Sequence, residues 1–139
     1  MSDSGDNLIL PSLAAESCAP ARGKTMLLSC SGGSNVGQLA NQACIELTQE
    51  GWGQMSCLAG VGGKLAGFLE SARNATDLVV IDGCEVGCAR AIFAEAGVEL
   101  RGHLVLTRLG IAKNKDLNLL GADIARVKEA VKSAVSPLA

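Results

Sequence analysis

This 139-residue sequence contains six cysteines and a single histidine, the residue types best suited to nucleophilic chemistry or metal binding. Four of the cysteines, Cys30, Cys57, Cys84 and Cys88, fall at or just after apolar runs that are typical of β-strands. Thiolates are strong zinc ligands, and four of them complete a closed tetrahedral site with Zn–S distances of about 2.3 Å. We therefore expect these four residues to form a metal site, with zinc as the cofactor.

The spacing of Cys84 and Cys88 favours a metal over a disulfide. A helix beginning near Cys84 would place both side chains on one face, with Cβ atoms about 5–6 Å apart. That separation exceeds the ~3.8 Å typical of a disulfide, whereas a metal ion can bridge it. The N–H groups at the start of such a helix would also stabilise the thiolate form.

The same cysteines are compatible with two other kinds of site. In a thiol enzyme for redox or sulfur transfer, Cys30 or Cys84 would be the nucleophile, and Cys57 or Cys88 would resolve a mixed disulfide or persulfide. Four thiolates also suit an iron–sulfur cluster. The residues alone leave these alternatives open.

The remaining cysteines and the histidine have different predicted places. Cys44 falls within the apolar stripe of a helix and is expected in the core, whereas Cys18 could fold over the site or hang free. His103 begins a strand, so it is expected at the sheet edge opposite the thiols and not as a ligand. Without a histidine base, activation of a cysteine by histidine is unattractive.

Two glycine-rich turns could expose backbone N–H groups to a small anionic ligand. They are Cys30–Gly37 and Gly60–Lys64. The first is not a phosphate-binding Walker loop, because no Gly-Lys-Ser/Thr ends it. Arg108, Lys113 and Lys115 could add a cationic rim after the fourth strand. Tight turning and ordinary surface charge are the competing explanations for these features.

Strands and helices that would position these residues alternate along the chain. Four apolar runs predict strands, at Thr25–Cys30, Gln54–Leu58, Leu78–Asp82 and His103–Thr107. The second run is weaker and is expected at a sheet edge. The run Leu78–Asp82 is typical of a strand covered on both faces, and Asp82 is expected to cap the next helix or orient a thiol.

Apolar residues at helical spacing predict four helices. The first runs from an N-cap at Ser34 to Glu50, and the third spans Glu85–Ala96. The other two are marked by Leu65, Phe68, Leu69 and Ala72, and by Ile124, Val127, Val131 and Val135.

Strict alternation of strands and helices predicts a small doubly wound α/β fold with a four-stranded parallel sheet and helices on both faces. We expect the strand order 2-1-3-4. The carboxyl ends of parallel strands meet at one edge, and neighbouring strands are about 4.8 Å apart. Cys30 would then lie between Cys57 and Cys84.

Composition excludes several classes of protein. A formal charge of −2 and 2% aromatic residues argue against a nucleic-acid surface. The longest early uncharged run is too polar to span a membrane, and no secretory signal is visible. We therefore expect a cytoplasmic protein with free thiols, in which residues 1–24 form an irregular tail and residues 25–139 a single domain.

Several segments together resemble one known family. The sequence Ile81-Asp82-Gly83-Cys84-Glu85-Val86-Gly87-Cys88-Ala89 is similar to that of the DGC-domain family, whose members are described as zinc-binding. The resemblance extends through residues 30–40, 55–63, 67–70 and 109–111. It implies that the zinc ligands are Cys30, Cys57, Cys84 and Cys88. Some members carry a cysteine-rich N-terminal stretch, where this chain has only Cys18.

Overall fold

The computed structural model describes residues 24–137, which form one sheet with helices on both faces. Four parallel strands lie in the order β2-β1-β3-β4, which confirms the predicted fold class and strand order. These strands are β1 (Thr25–Ser29), β2 (Gly53–Met55), β3 (Asp77–Asp82) and β4 (His103–Val105). The prediction that β2 is an edge strand is also confirmed. Cys18 and nearly all of the predicted tail lie outside the described residues.

A fifth strand, β5 (Ser136–Pro137), was not predicted. It pairs antiparallel with the start of β3, opposite Asp77 and Leu78. β4 pairs with the later part of β3, from Val80 to Asp82, so β3 has partners along both of its edges. A two-residue pairing carries too little periodicity to be read from a sequence.

Two groups of helices cover the sheet. One face carries α1 (Asn35–Gln49) and α5 (Gly121–Ser133). The other carries α2 (Leu58–Gly62), α3 (Ala66–Asn74) and α4 (Cys88–Ala96), and a short 3₁₀ helix (Leu106–Leu109) follows β4. None of the helices in residues 24–137 is long and apolar enough to cross a membrane.

Because successive side chains of a strand point to opposite faces of the sheet, the central strands contribute to the core on both faces. Leu27 and Val79 point towards α1 and α5, whereas Leu28 and Val80 point towards α2, α3 and α4. All four side chains are fully buried. The continuous apolar run in β3 thus fills both halves of the core, as predicted.

The start of α1 follows the predicted capping pattern. The Oγ of Ser34 accepts a hydrogen bond from the backbone N–H of Gly37 at 3.2 Å. Further along, the Nζ of Lys128 on α5 lies 3.1 Å from the Glu46 carboxylate and also contacts Glu50. These ion pairs tie the two helices together on the solvent side of their shared core.

Candidate functional site

The ends of the two central strands bring Cys30 and Cys84 to the same edge of the sheet. The backbone N–H of Cys30 donates to the Ile81 carbonyl at 3.0 Å, which extends the β1–β3 pairing by one residue. The Sγ of Cys30 then accepts a hydrogen bond from the N–H of Gly83 at 3.3 Å. The Cys30 thiol therefore lies against the residue that immediately precedes Cys84.

A pocket of about 230 Å³ opens at this edge. Three of the four predicted site cysteines line it, together with two lysines and four glycines. Its lining residues are Cys30, Gly32, Gly33, Ser34, Gly37, Gly83, Cys84, Val86, Cys88, Lys113 and Lys115. Cys30 and Cys84 are partly buried and Cys88 is exposed, so all three thiols are accessible from the pocket or its rim.

The fourth predicted residue, Cys57, does not line this pocket. It is an exposed residue at the N-cap of α2, where its Sγ accepts a hydrogen bond from the Gly60 N–H at 3.4 Å. Across residues 24–137, no three Cys, His, Asp or Glu side chains are arranged to hold a metal ion together. As the side chains stand, the pocket has three nearby thiols but not a formed metal-ligand set.

A lysine contacts one of the thiols directly. The Nζ of Lys113 lies 3.3 Å from the Sγ of Cys84, and the Nζ of Lys115 lies 3.3 Å from the Gly33 carbonyl oxygen. An adjacent cation is one of the features that stabilise a cysteine thiolate. The predicted cationic rim is therefore present for Lys113 and Lys115.

Asn35, at the start of α1, holds the segment that carries Lys113. Its side-chain amide donates to the Ala112 carbonyl at 2.8 Å, and its Oδ1 accepts from the Asn114 N–H at 2.6 Å. The backbone N–H of Asn35 donates to the Asn114 carbonyl at 3.0 Å. Three hydrogen bonds thus fix the residues on either side of Lys113, and this role of Asn35 was not predicted from the sequence.

Arg108 has different contacts from the other two rim cations. Its guanidinium makes two hydrogen bonds to the Glu85 carboxylate, at 2.7 and 2.9 Å. This hydrogen bonding lowers the pKa of Glu85 and raises that of Arg108. The pair ties the loop next to Cys84 to the 3₁₀ helix, where the Thr107 N–H also donates to the Gly83 carbonyl.

Close packing of two glycines fixes the turn between β1 and α1 against the end of β3. A Cβ on Gly37 would lie 2.4 Å from the carbonyl oxygen of Gly32, and one on Gly83 would lie 2.7 Å from the backbone of Val36. Within the same turn Ser31 has a φ of 54°, a left-handed conformation that costs a non-glycine residue about 1 kcal/mol. The Gln38 side chain donates to the Ser31 carbonyl at 3.2 Å and supports this turn.

The helix that follows β3 starts later than predicted. It begins at Cys88 rather than near Cys84, because Gly87 adopts a left-handed φ of 69° at the N-cap. The Asp82 carboxylate accepts hydrogen bonds from the N–H groups of Ala89 and Arg90, at 2.7 and 3.1 Å. The prediction that Asp82 caps this helix is confirmed. The prediction that Cys84 and Cys88 share a helical face is wrong, since Cys84 lies in the preceding turn.

The predicted position of His103 is also wrong. It begins β4, but β4 pairs with β3 only from Val80 onward. Its Nε2 lies 2.8 Å from Oδ2 of the buried Asp82. The imidazole is therefore next to the carboxylate that caps α4, and not at the sheet edge opposite the thiols. This late register of a short strand has no local sequence signal.

Two further predictions concern groups away from the pocket. Cys44 is fully buried in the core, as predicted. Burial raises the pKa of the Cys44 thiol to about 12, against a smaller lowering by a hydrogen bond with Ser29, so this thiol is inert at neutral pH. The second glycine-rich turn forms α2 instead, and the exposed Lys64 faces Glu95 at 3.7 Å rather than the pocket.

Comparison with known proteins agrees with the sequence motifs. The family model of the DGC domain matches residues 26–131. The chain is 31% identical over 112 residues to the "Anaerobic and virulence modulator AnvM" of Pseudomonas aeruginosa, covering 81% of this chain and 86% of the relative. No solved structure matches it. With its parallel sheet and the cysteine motifs at the carboxyl edge, the chain belongs to the DGC-domain family.

Proposed function

We propose that this protein acts through a reactive thiolate, with Cys84 as the nucleophile and Cys30 as the second thiol of a redox pair. The observation that carries the proposal is the 3.3 Å contact between the Lys113 ammonium and the Cys84 Sγ, inside a pocket that also contains Cys30. Reactive cysteines in general lie in electropositive, partly exposed surroundings of this kind.

The proposed reaction is thiol–disulfide exchange. The Cys84 thiolate attacks one sulfur of a substrate disulfide, a new S–S bond forms, and the other substrate half leaves as a thiolate. Cys30 then attacks the Cys84 sulfur and forms an internal disulfide. The second substrate half leaves, and the two cysteine protons end on the two product thiols. Two electrons pass from the cysteine pair to the substrate.

The position of Cys30 suits the second step. Its Sγ is held by the N–H of Gly83, one residue from Cys84, and Gly83 cannot take a side chain without clashing with Val36. A disulfide between Cys30 and Cys84 would join the β1–α1 turn to the β3–α4 loop. A change of redox state would thus alter the two loops that form the pocket. The name of the AnvM relative, a modulator, is in keeping with such a regulatory role.

The test is a redox titration of the anaerobically purified protein in buffers of reduced and oxidised glutathione. We expect peptide mapping to show a Cys30–Cys84 disulfide while Cys44 remains a thiol. The C30S variant should stop at a mixed disulfide on Cys84. C57S is the matched control, because serine is itself a good N-cap for α2. Modification of Cys84 no faster than that of Cys57, or a disulfide that excludes Cys30, would contradict the proposal.

A second candidate function is zinc binding by Cys30, Cys57, Cys84 and Cys88, with a structural, metal-handling or regulatory role. The observation that favours it is that Cys30, Cys84 and Cys88 line one pocket. When bound, zinc would hold these thiolates in a fixed arrangement. Cys57 would have to leave its capping position on α2 to join them. An iron–sulfur cluster would use the same thiolates.

Elemental analysis and an absorption spectrum of protein isolated without oxygen distinguish these possibilities. A zinc site should give about one zinc per chain and lose it in C84S, whereas a cluster would absorb visible light. Lys113→Gln separates the two candidate functions. Removing the cation beside Cys84 should slow the reaction of the free thiolate, whereas a bound zinc ion supplies its own positive charge, so the zinc content should not fall in this variant. Unchanged zinc content in C84S would eliminate the metal site.

A further inference from the structure

The pocket around Cys84 has the charge of an anion site. Among the described residues that line it, two are lysines and none is acidic. Lys113 contacts the sulfur of Cys84, and Lys115 reaches the carbonyl of Gly33 on the glycine-rich turn. A water molecule in the liquid occupies about 30 Å³, so a pocket of about 230 Å³ accommodates a ligand of several heavy atoms.

Two glycines in the pocket wall are not required by the fold. A Cβ on Gly32 or Gly33 would meet no atom within 4 Å, and neither residue has a left-handed φ. Gly37 and Gly83 differ sharply, because a Cβ on either would clash with backbone atoms. The missing side chains of Gly32 and Gly33 leave the pocket open and allow a ligand to approach the backbone. Their identity is thus explained by a ligand better than by packing.

From these observations we propose that the pocket binds a small sulfur oxyanion that carries a transferable sulfur atom, the class represented by thiosulfate. This inference rests on the proposed role of Cys84 as a nucleophile. The two lysines would bind the negatively charged sulfonate group. The outer sulfur of the ligand would then face the Cys84 thiolate, which already lies beside the Lys113 ammonium.

The chemical step is a sulfur transfer. The Cys84 thiolate attacks the outer sulfur of thiosulfate, a Cys84–S–S⁻ persulfide forms, and the S–S bond to the sulfonate breaks with its electron pair leaving on sulfite. One dianion is consumed and one is released, so charge and atoms balance. A second thiol, Cys30, can then attack Cys84 Sγ, forming the Cys30–Cys84 disulfide and releasing hydrosulfide, which takes the Cys30 proton.

The experiment treats the anaerobic, reduced full-length protein with thiosulfate and follows two products. Intact-protein mass spectrometry detects the gain of one sulfur atom before Cys30 reacts, most clearly in the C30S variant, and peptide mapping assigns that sulfur to Cys84. A colorimetric assay detects sulfite. We expect the combined variant K113Q/K115Q to slow persulfide formation and sulfite release by about tenfold or more, because two charged contacts to the anion are lost. Lys64→Gln is the matched control for the loss of a surface lysine.

Gly33→Ala tests the shape of the pocket without disturbing the fold. The added methyl group meets no protein atom, so thermal unfolding should stay close to that of the parent protein. Transfer of sulfur from thiosulfate should slow because the methyl group takes up ligand space. Gly121→Ala is the control, because a Cβ there would also meet no atom within 4 Å but lies outside the pocket lining. It should leave the transfer rate unchanged.

Alkylation by iodoacetamide, a neutral reagent, separates this inference from the proposed function. Rapid alkylation of Cys84, protection by inorganic sulfate and persulfide formation would support both. Rapid alkylation without sulfate protection or sulfur transfer would overturn the oxyanion proposal and leave the thiolate proposal intact. Alkylation of Cys84 no faster than that of Cys57 would overturn both.

Discussion

Asn35 and Asn114 are joined by two hydrogen bonds across 79 residues of sequence: the Asn35 Oδ1 accepts from the Asn114 N–H, and the Asn35 N–H donates to the Asn114 carbonyl. With the bond from the Asn35 amide to Ala112, they hold the segment around Lys113 against the start of α1. Asn35 is only 9% exposed, so water replaces these bonds poorly. The contact of Lys113 with Cys84 therefore depends on Asn35, whose hydrogen bonds hold the residues on either side of Lys113.

Asn35→Ala should consequently weaken both the fold and the site. Loss of the two side-chain hydrogen bonds, which leaves the Asn114 N–H without its acceptor, should lower the free energy of unfolding by about 1–3 kcal/mol. Urea denaturation measures this change, and hydrogen exchange at the Asn114 amide should accelerate. Alkylation of Cys84 should slow at the same time. Asn118→Ala is the control, because the side chain of Asn118 bonds to Asp116, two residues away. Equal effects of both variants would argue against a positioning role for Asn35.

Asp82 and His103 should show measurable energetic coupling. The buried carboxylate of Asp82 caps α4 and also makes the 2.8 Å contact with His103. In a double-mutant cycle of Asp82→Ala and His103→Ala, we expect a coupling of about 1 kcal/mol in the free energy of unfolding. Additive effects of the two substitutions would show that the histidine contact contributes nothing to stability.

Cys44 should make the protein less stable at alkaline pH. Burial raises the pKa of its thiol to about 12, whereas in the unfolded chain it ionises near pH 9. Between these pH values the unfolded state has lost a proton that the folded state keeps. The contribution of the neutral Cys44 thiol to the free energy of unfolding is therefore fully present below about pH 9 and is lost as pH rises. The slope attributable to this thiol is about 1.4 kcal/mol per pH unit.

The difference between parent and C44A isolates that effect, because every other titrating group is shared. Urea denaturation at several pH values from about 8 to 11, which bracket the usual thiol pKa, should show a shallower decline for C44A, even though the cavity lowers its stability overall. Parallel curves for the two proteins would mean that Cys44 does not retain its proton in the folded state.

Arg108→Gln should raise the pKa of Glu85. The hydrogen bonds from the Arg108 guanidinium are the largest cause of the lowered pKa of this carboxylate. NMR titration of the Glu85 side chain should place its midpoint closer to the usual value for glutamate once the guanidinium is removed. Lys128→Gln serves as the reference, because Lys128 helps to lower the pKa of Glu46 instead.

Substitution of the two kinds of glycine should have different consequences for folding. Gly83→Ala would place a Cβ 2.7 Å from the backbone of Val36 and should destabilise the protein by about 2–4 kcal/mol. Gly33→Ala should change stability by less than about 0.5 kcal/mol. Comparison of the two melting curves checks the packing on which the position of Cys30 depends.

Periodicity in the sequence was sufficient to predict the cap at Ser34 and the burial of Cys44, because each depends on residues close together in the chain. The sheet order followed instead from the strict alternation of strands and helices, which is typical of a doubly wound parallel sheet. Periodicity did not predict the late start of α4, which depends on the left-handed Gly87, or the short strand β5. Nor did it place His103, whose partner is set by the register of a strand. The Asn35–Asn114 contact joins distant segments and leaves no local pattern at either residue.

The predicted positions of the site cysteines likewise agree with the structure for some residues and not for others. Strand-end positions correctly located Cys30 and Cys84 at the carboxyl edge, since parallel strands share that edge. Cys57 also follows a strand, but its side chain caps α2 and is not part of the pocket lining. Which direction a side chain takes beyond a strand end depends on the next turn, and spacing between cysteines does not contain that information.

The pocket is assembled from three stretches of chain that are remote in sequence, around Cys30, Cys84 and Lys113. An unfolded or locally opened chain would retain all its thiols but would separate Cys84 from its ammonium neighbour. The chemical character of Cys84 is therefore a property of the tertiary structure, and its labelling rate can report how much of the population is native.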